Sequence, residues 1–181
     1  MNDTHEVFRL ERTTKSCAVC ERYALAQSEK PVAVICCEGA CLRGEVARRA
    51  ADLICRKLSP EVTVRVCLGG AFTKDGGQRN LVRRARYVVA VEGCHLLCAS
   101  RMMKAAVEGL TLRIAVADKL FEFDRTMFSA DALSDEALNA HAQEVAETIA
   151  ESITQLPGWW HGTGVPEPDA LLRSRSRLRE P

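Results

Sequence analysis

Four short apolar runs, rich in β-branched residues, alternate with stretches whose apolar residues recur at helical spacing. No other feature constrains the chain as strongly. The runs are "PVAVICC" (31–37), "VTVRVCL" (62–68), "YVVAV" (87–91) and "LRIAVAD" (112–118). Their apolar residues follow one another instead of alternating with polar ones, the pattern of a strand covered on both faces. In "LRGEVARRAADLICRKL" (42–58), Val46, Ala47, Ala50, Leu53, Ile54 and Leu58 fall on one side with arginines opposite, and Ser59-Pro60 stops the helix. A short basic helix is predicted over 78–85 and another over 98–108. A long one over 134–156 has Ser134 as N-cap and acids in its first turn, and ends at Pro157-Gly158.

This order of elements predicts an α/β fold, a doubly wound three-layer (αβα) sandwich on a mainly parallel, Rossmann-like sheet. The 181 residues suffice for one domain of ordinary size, expected over 31–156. Residues 1–30 read as a polar extension in which "SCAVCERYALAQ" forms a short helix. Residues 157–181, with proline, glycine and alternating arginines, read as a tail without fixed structure. A net charge of +1 gives no electrostatic footprint for nucleic acid or an anionic membrane. No apolar stretch approaches the roughly 18 residues needed to span a bilayer. The start, "MNDTHEVFRLER", lacks the apolar segment of a secretory signal, so a cytoplasmic location is expected. Clustered cysteines there more often bind metal or do redox chemistry than form disulfides, and an odd total of nine suits a disulfide framework poorly.

In a sheet of this kind ligands collect beyond the carboxyl ends of the strands, and the thiols follow that rule. Cys36 and Cys37 close the first strand, with Cys41 four residues on. Cys67 closes the second, and Cys94 and Cys98 follow the third. Cys55 falls on the apolar face of a helix and reads as core. On a helix, residues i and i+4 lie about 5–6 Å apart at Cβ, so Cys94 and Cys98 read as half of a tetrahedral thiolate site, with Cys37 and Cys67 as the other half. The remaining rim thiols, Cys36 and Cys41, and the Cys17-x-x-Cys20 pair are candidates for additional metal or redox chemistry. Glu92 and His95 are expected to support the ligands from behind.

"EGCHLLC" (92–98) resembles the signature of the DGC-domain proteins, an Asp-Gly-Cys motif with a second cysteine four residues later. The family's Cys-x-Gly-Ala-Ser turn is similar to Cys37-Glu38-Gly39-Ala40-Cys41, followed here by Gly44 and Ala47. Its Cys-Leu-Gly turn is matched by Cys67-Leu68-Gly69. The resemblance covers about residues 32–118 and implies zinc binding through Cys37, Cys67, Cys94 and Cys98. The chain departs from the pattern at Glu92, which replaces the aspartate, and at Cys41, where serine is common. It also carries an extra thiol at Cys36 and an abbreviated glycine turn after Cys67.

Four thiolates saturate zinc, so the expected role is a structural or reversible metal site, in metal or sulfur handling or redox chemistry, and not an open catalytic centre. An iron–sulfur cluster is the alternative occupant. The expected partners are the metal ion and an unidentified protein, with neither nucleic acid nor membrane, and self-association into homo-oligomers stays open. A rival reading is an enzyme: Cys37-x₅-Arg43 after the first strand resembles the loop of low-molecular-weight tyrosine phosphatases and arsenate reductases, which implies a nucleophilic cysteine. Against it, Gly44 stands where those loops carry Ser or Thr, and no Asp-Pro occurs in the chain.

Overall fold

Valine and isoleucine crowd the apolar runs because both faces of the central strands are covered, whereas the fourth run forms an edge strand that is only half-buried. The computed structural model describes residues 9–11, 13, 15–73 (73 by its backbone alone) and 75–156. Strands β1 (Val32–Cys36), β2 (Thr63–Arg65), β3 (Tyr87–Glu92) and β4 (Arg113–Val116) pair in parallel in the order β2-β1-β3-β4. The register sets Val34 beside Arg65 on one neighbour and Val89 on the other. Six α-helices accompany them: α1 (Ala18–Ala26), α2 (Leu42–Leu53), α3 (Leu68–Thr73), α4 (Gly77–Arg84), α5 (Cys98–Ala106) and α6 (Asp135–Thr154). The fold is thus the mainly parallel α/β sandwich that the alternation predicts. The tail expected over 157–181 lies outside the described residues, as does the predicted stop at Pro157-Gly158.

Alternate residues of each strand face opposite layers. Val32, Val34, Cys36, Val89 and Val91 pack with Val46, Ala47 and Ala50 of α2 and Leu138, Val145 and Ile149 of α6. Ala33, Ile35, Val64, Val88 and Ala90 pack with residues of the other four α-helices, among them Ala24, Leu68, Leu81 and Met103. Every residue of β1 is fully buried. Burying a Val, Leu or Ile side chain contributes about 1.5–3 kcal/mol against chain entropy, so this central strand anchors the whole. Helix α1 belongs to the second layer. Ala24 is buried there, Tyr23 donates its hydroxyl to the Arg65 carbonyl at 3.0 Å, and Gly77 N–H donates to the Glu21 carboxylate at 3.1 Å.

Several boundaries differ from the sequence pattern. The helix expected over 42–58 is α-helical to Leu53 and then widens into a π-turn, Ile54–Leu58, closed by Ser59 N–H to the Ile54 carbonyl at 2.8 Å. The second strand is short, although Val66 N–H still donates to the Val34 carbonyl at 2.9 Å. Helix α3 occupies a stretch whose paired glycines read as a turn. Ser134 caps α6 as expected, accepting from Ala137 N–H at 3.3 Å. Among the described residues no helix is long and apolar enough to cross a membrane.

Candidate functional site

Strand β1 has β2 on one side and β3 on the other, and the helices that follow β1 and β3 leave toward opposite layers. The topological switch point, where ligands of such sheets bind, therefore lies beyond the carboxyl ends of β1 and β3. Cys37 sits there: its N–H extends the ladder to the Val91 carbonyl at 2.9 Å, and its side chain is buried. The amides of Gly39 and Gly93 face its sulfur. Burial pushes the Cys37 thiol up, those two amides work in the opposite direction, and the neighbouring Cys98 and Glu92 add to the rise.

Two glycines let the first turn of α2 lie against its own β1–α2 loop and against the loop beyond β3. A Cβ on Gly44 would lie 2.7 Å from the Gly39 carbonyl oxygen, and one on Gly93 would lie 2.9 Å from the Gly44 nitrogen. Both obstacles are backbone, so no side chain fits at either contact. A Cβ on Gly39 would stand 3.3 Å from the Cys37 sulfur and 3.9 Å from that of Cys41, so these two thiols flank one small space. Cys41 is the N-cap of α2, and a single bridge ties it to Ser129.

The segment from Gly93 to Cys98 departs from the expected geometry. Cys94 precedes α5 and does not lie on its first turn. Leu97 N–H turns back to the Cys94 carbonyl at 3.2 Å, and Leu97 itself is left-handed, at φ 51° and ψ 45°. That conformation costs a non-glycine residue about 1–2 kcal/mol, so the two thiols are not stacked as i and i+4 of one helix. The work of starting the helix falls to Glu92. This fully buried carboxylate accepts from Ala99 N–H at 3.2 Å and Ser100 N–H at 2.5 Å, satisfying amides that would otherwise be orphaned. Glu92 therefore braces α5 from behind the cysteines. His95 is exposed.

A second group of sulfurs gathers beyond β2. Cys67 is exposed just before α3, accepting from Gly70 N–H at 3.4 Å, and its own N–H donates to the Gln78 side chain at 3.0 Å. Cys20, on α1, lies close enough to Cys67 to feel its charge and faces Cys17. The amides of Cys20 and Val19 face the Cys17 sulfur and lower its pKa, without closing a cap hydrogen bond of full geometry.

The other rim thiol stands apart. Cys36 points into the α2–α6 layer, 2.7 Å from Arg65 Nη2, and burial pushes its thiol far up. Arg65 also holds Glu38 at 2.7 Å and Asp52 at 3.2 Å, an ion cluster that sequence spacing did not reveal. Cys55 is buried core as expected, its thiol pushed up to about 11 by burial. The structure thus sets the Cys37 and Cys41 sulfurs on either side of Gly39, with the charge of Cys98 reaching Cys37, and it pairs Cys17 with Cys20 within reach of the charge of Cys67. All nine cysteines are free, and among the described residues no three Cys, His, Asp or Glu side chains converge closely enough to hold a metal ion.

Arg43, required by the phosphatase reading, is committed elsewhere. Its Nε lies 3.6 Å from the Asp118 carboxylate, its Nη2 donates to the Arg125 carbonyl at 3.2 Å, and its guanidinium stacks 4.9 Å from the Phe123 ring.

The sequence model of the DGC domain matches residues 33–150, close to two-thirds of the chain. The chain belongs to the DGC-domain family. The match runs past the cysteine motifs into α6, so the DGC domain takes in both helical layers and the whole sheet. It leaves out α1 and with it the Cys17-x-x-Cys20 pair. No curated protein and no solved structure matches the chain.

Proposed function

We propose that the DGC domain of this protein binds a zinc ion through Cys37, Cys67, Cys94 and Cys98 and serves as a structural or reversible metal site. The observation that carries the reading is the environment of Cys37 at the β1–β3 switch point, where two backbone amides face its sulfur and the charge of Cys98 reaches it. Those amides offset part of the burial that raises the Cys37 thiol, and a bound cation would supply the rest of what its thiolate, the form that ligates metal, needs. The chemistry of the donors suits the metal: sulfur is a preferred zinc ligand and Cys67 and Cys98 are exposed, but the side chains do not converge as they stand, so binding would require them to turn toward a shared ion. Bound by four sulfurs, zinc would supply cross-linking between the three strand ends and no open coordination position. The chain's own contribution is to hold Cys37 rigidly, to brace α5 through Glu92, and to keep α2 in contact with both loops at Gly44 and Gly93.

The nucleophilic alternative has less behind it. A cysteine that attacks phosphorus needs a lowered pKa and a loop arginine turned toward the anion. Here burial raises Cys37, and Arg43 is bound to Asp118 and stacked on Phe123.

The test is elemental analysis of anaerobically purified protein with a count of free thiols. Zinc is expected near one equivalent in the wild type, lower in Cys94→Ser and Cys98→Ser, and unchanged in Cys55→Ser. Equal zinc in all of these, or iron with sulfide in place of zinc, overturns the reading.

A further inference from the structure

The Cys17-x-x-Cys20 pair lies outside the family match, yet it has a fixed place in the fold. Three contacts pin α1 to the second layer: the Glu21 carboxylate on Gly77 N–H, the Tyr23 hydroxyl on the Arg65 carbonyl, and buried Ala24. They present the start of α1 beside the end of β2. There Cys17 is exposed, Cys20 is half-buried, the two sulfurs face each other, and the charge of Cys67 reaches Cys20.

We infer that Cys17 and Cys20 are a reversible redox dithiol, with Cys17 as the attacking sulfur and Cys20 as the resolving one. Cys17 is the more accessible of the two, and it caps a nine-residue helix with the Val19 and Cys20 amides turned to its sulfur. Its backbone, at φ −90° and ψ 108°, lies outside the helix. Sulfur-bearing Cβ atoms three apart on a helix are roughly 5–6 Å apart, and a disulfide needs about 3.8 Å. A non-helical Cys17 closes that difference by turning in, without unwinding α1.

The oxidant is a low-molecular-weight disulfide, RSSR. The Cys17 thiolate attacks one of its sulfurs, forming a Cys17–SR bond, breaking the S–S bond and releasing one RS⁻. The Cys20 thiolate then attacks the Cys17 sulfur, forming Cys17–Cys20 and releasing the second RS⁻. The two protons leaving the cysteines end on the two RS⁻, and the two electrons lost by the pair reduce RSSR to two RSH.

The experiment uses the full chain, reduced, desalted and exposed to oxidised glutathione, then acid-quenched, alkylated and digested with trypsin. Cys17 and Cys20 fall on one peptide, residues 16–22. The expected result is that this peptide closes on itself, two hydrogens lighter than its dithiol, before the peptides bearing the other seven cysteines react. Cys20→Ser is expected to trap glutathione on Cys17, and Cys17→Ser to slow reaction at Cys20 by about tenfold or more. Recovery of residues 16–22 doubly alkylated while other cysteines oxidise overturns the proposal. So does a link from Cys20 to Cys67. Cys67→Ser separates this inference from the metal reading, because it is expected to lower zinc and leave the 17–20 bond forming as before. Loss of that bond in Cys67→Ser counts against the dithiol; absence of zinc in the wild type counts only against the metal site.

Discussion

Replacing Glu92 by glutamine tests what starts α5. The carboxylate is fully buried and accepts from two successive amides, Ala99 N–H and Ser100 N–H, below a left-handed Leu97 that offers no cap of its own. Glutamine keeps one acceptor oxygen and turns an NH₂ toward the second amide. One charge-assisted hydrogen bond is then lost, about 1.5–3 kcal/mol, and one buried donor is left facing another donor, about 1–3 kcal/mol. Some of this is recovered as α5 frays, so the net expectation is about 2–4 kcal/mol. With a urea m-value of roughly 2 kcal/mol/M, the unfolding midpoint falls by about 1–2 M. The assay is urea unfolding followed by far-ultraviolet circular dichroism, with hydrogen exchange read at Ala99 and Ser100. Glu92→Asp keeps the charge one methylene short and is expected to fall between wild type and Glu92→Gln. A midpoint shift in Glu92→Gln below about 0.25 M, equivalent to a surface change, with both amides still protected, would refute the reasoning.

Gly93→Ala is expected to destabilise the protein by about 1–3 kcal/mol and to weaken zinc binding, because its Cβ meets the Gly44 nitrogen at 2.9 Å; wild-type zinc affinity and urea midpoint together would contradict this. Glu45 titrates at about 2 in the folded protein, lowered from 4.5 by hydrogen bonds from Arg48 and then Arg49, against some desolvation. A depressed carboxyl stabilises the fold above its unfolded pKa, so this contribution is whole above about pH 4.5 and fades as pH falls toward 2. With solvent screening it amounts to about 1 kcal/mol. Glu45→Gln is expected to flatten the acid limb of stability against pH by that amount, and an unchanged limb would refute it.

The sheet was legible because β1 and β3 carry so little polarity that only a strand covered on both faces accommodates them. Helix α6 was legible from Ser134 and the acids behind it. Helix α3 was not, since Gly69 and Gly70 weaken helical propensity and only packing of Leu68 and Ala71 into the second layer restores it. The gathering of thiols at one rim followed from strand ends alone. Which sulfurs meet did not, because that depends on loop conformations such as the left-handed Leu97 and on α1 folding back over β2. Cys36 and Cys37 show the limit: adjacent in the chain and both packed with the α2–α6 layer, they have different neighbours, Arg65 for the one and the Gly39 and Gly93 amides for the other.

The backbone contact at Gly44 and Gly93 removes the cushion that side chains ordinarily give between neighbouring segments. A guest that moves one segment must displace the other, so misfit is resisted by two chain segments at once. For the proposed zinc site, this predicts that ionic radius counts beside sulfur affinity in the choice of cation.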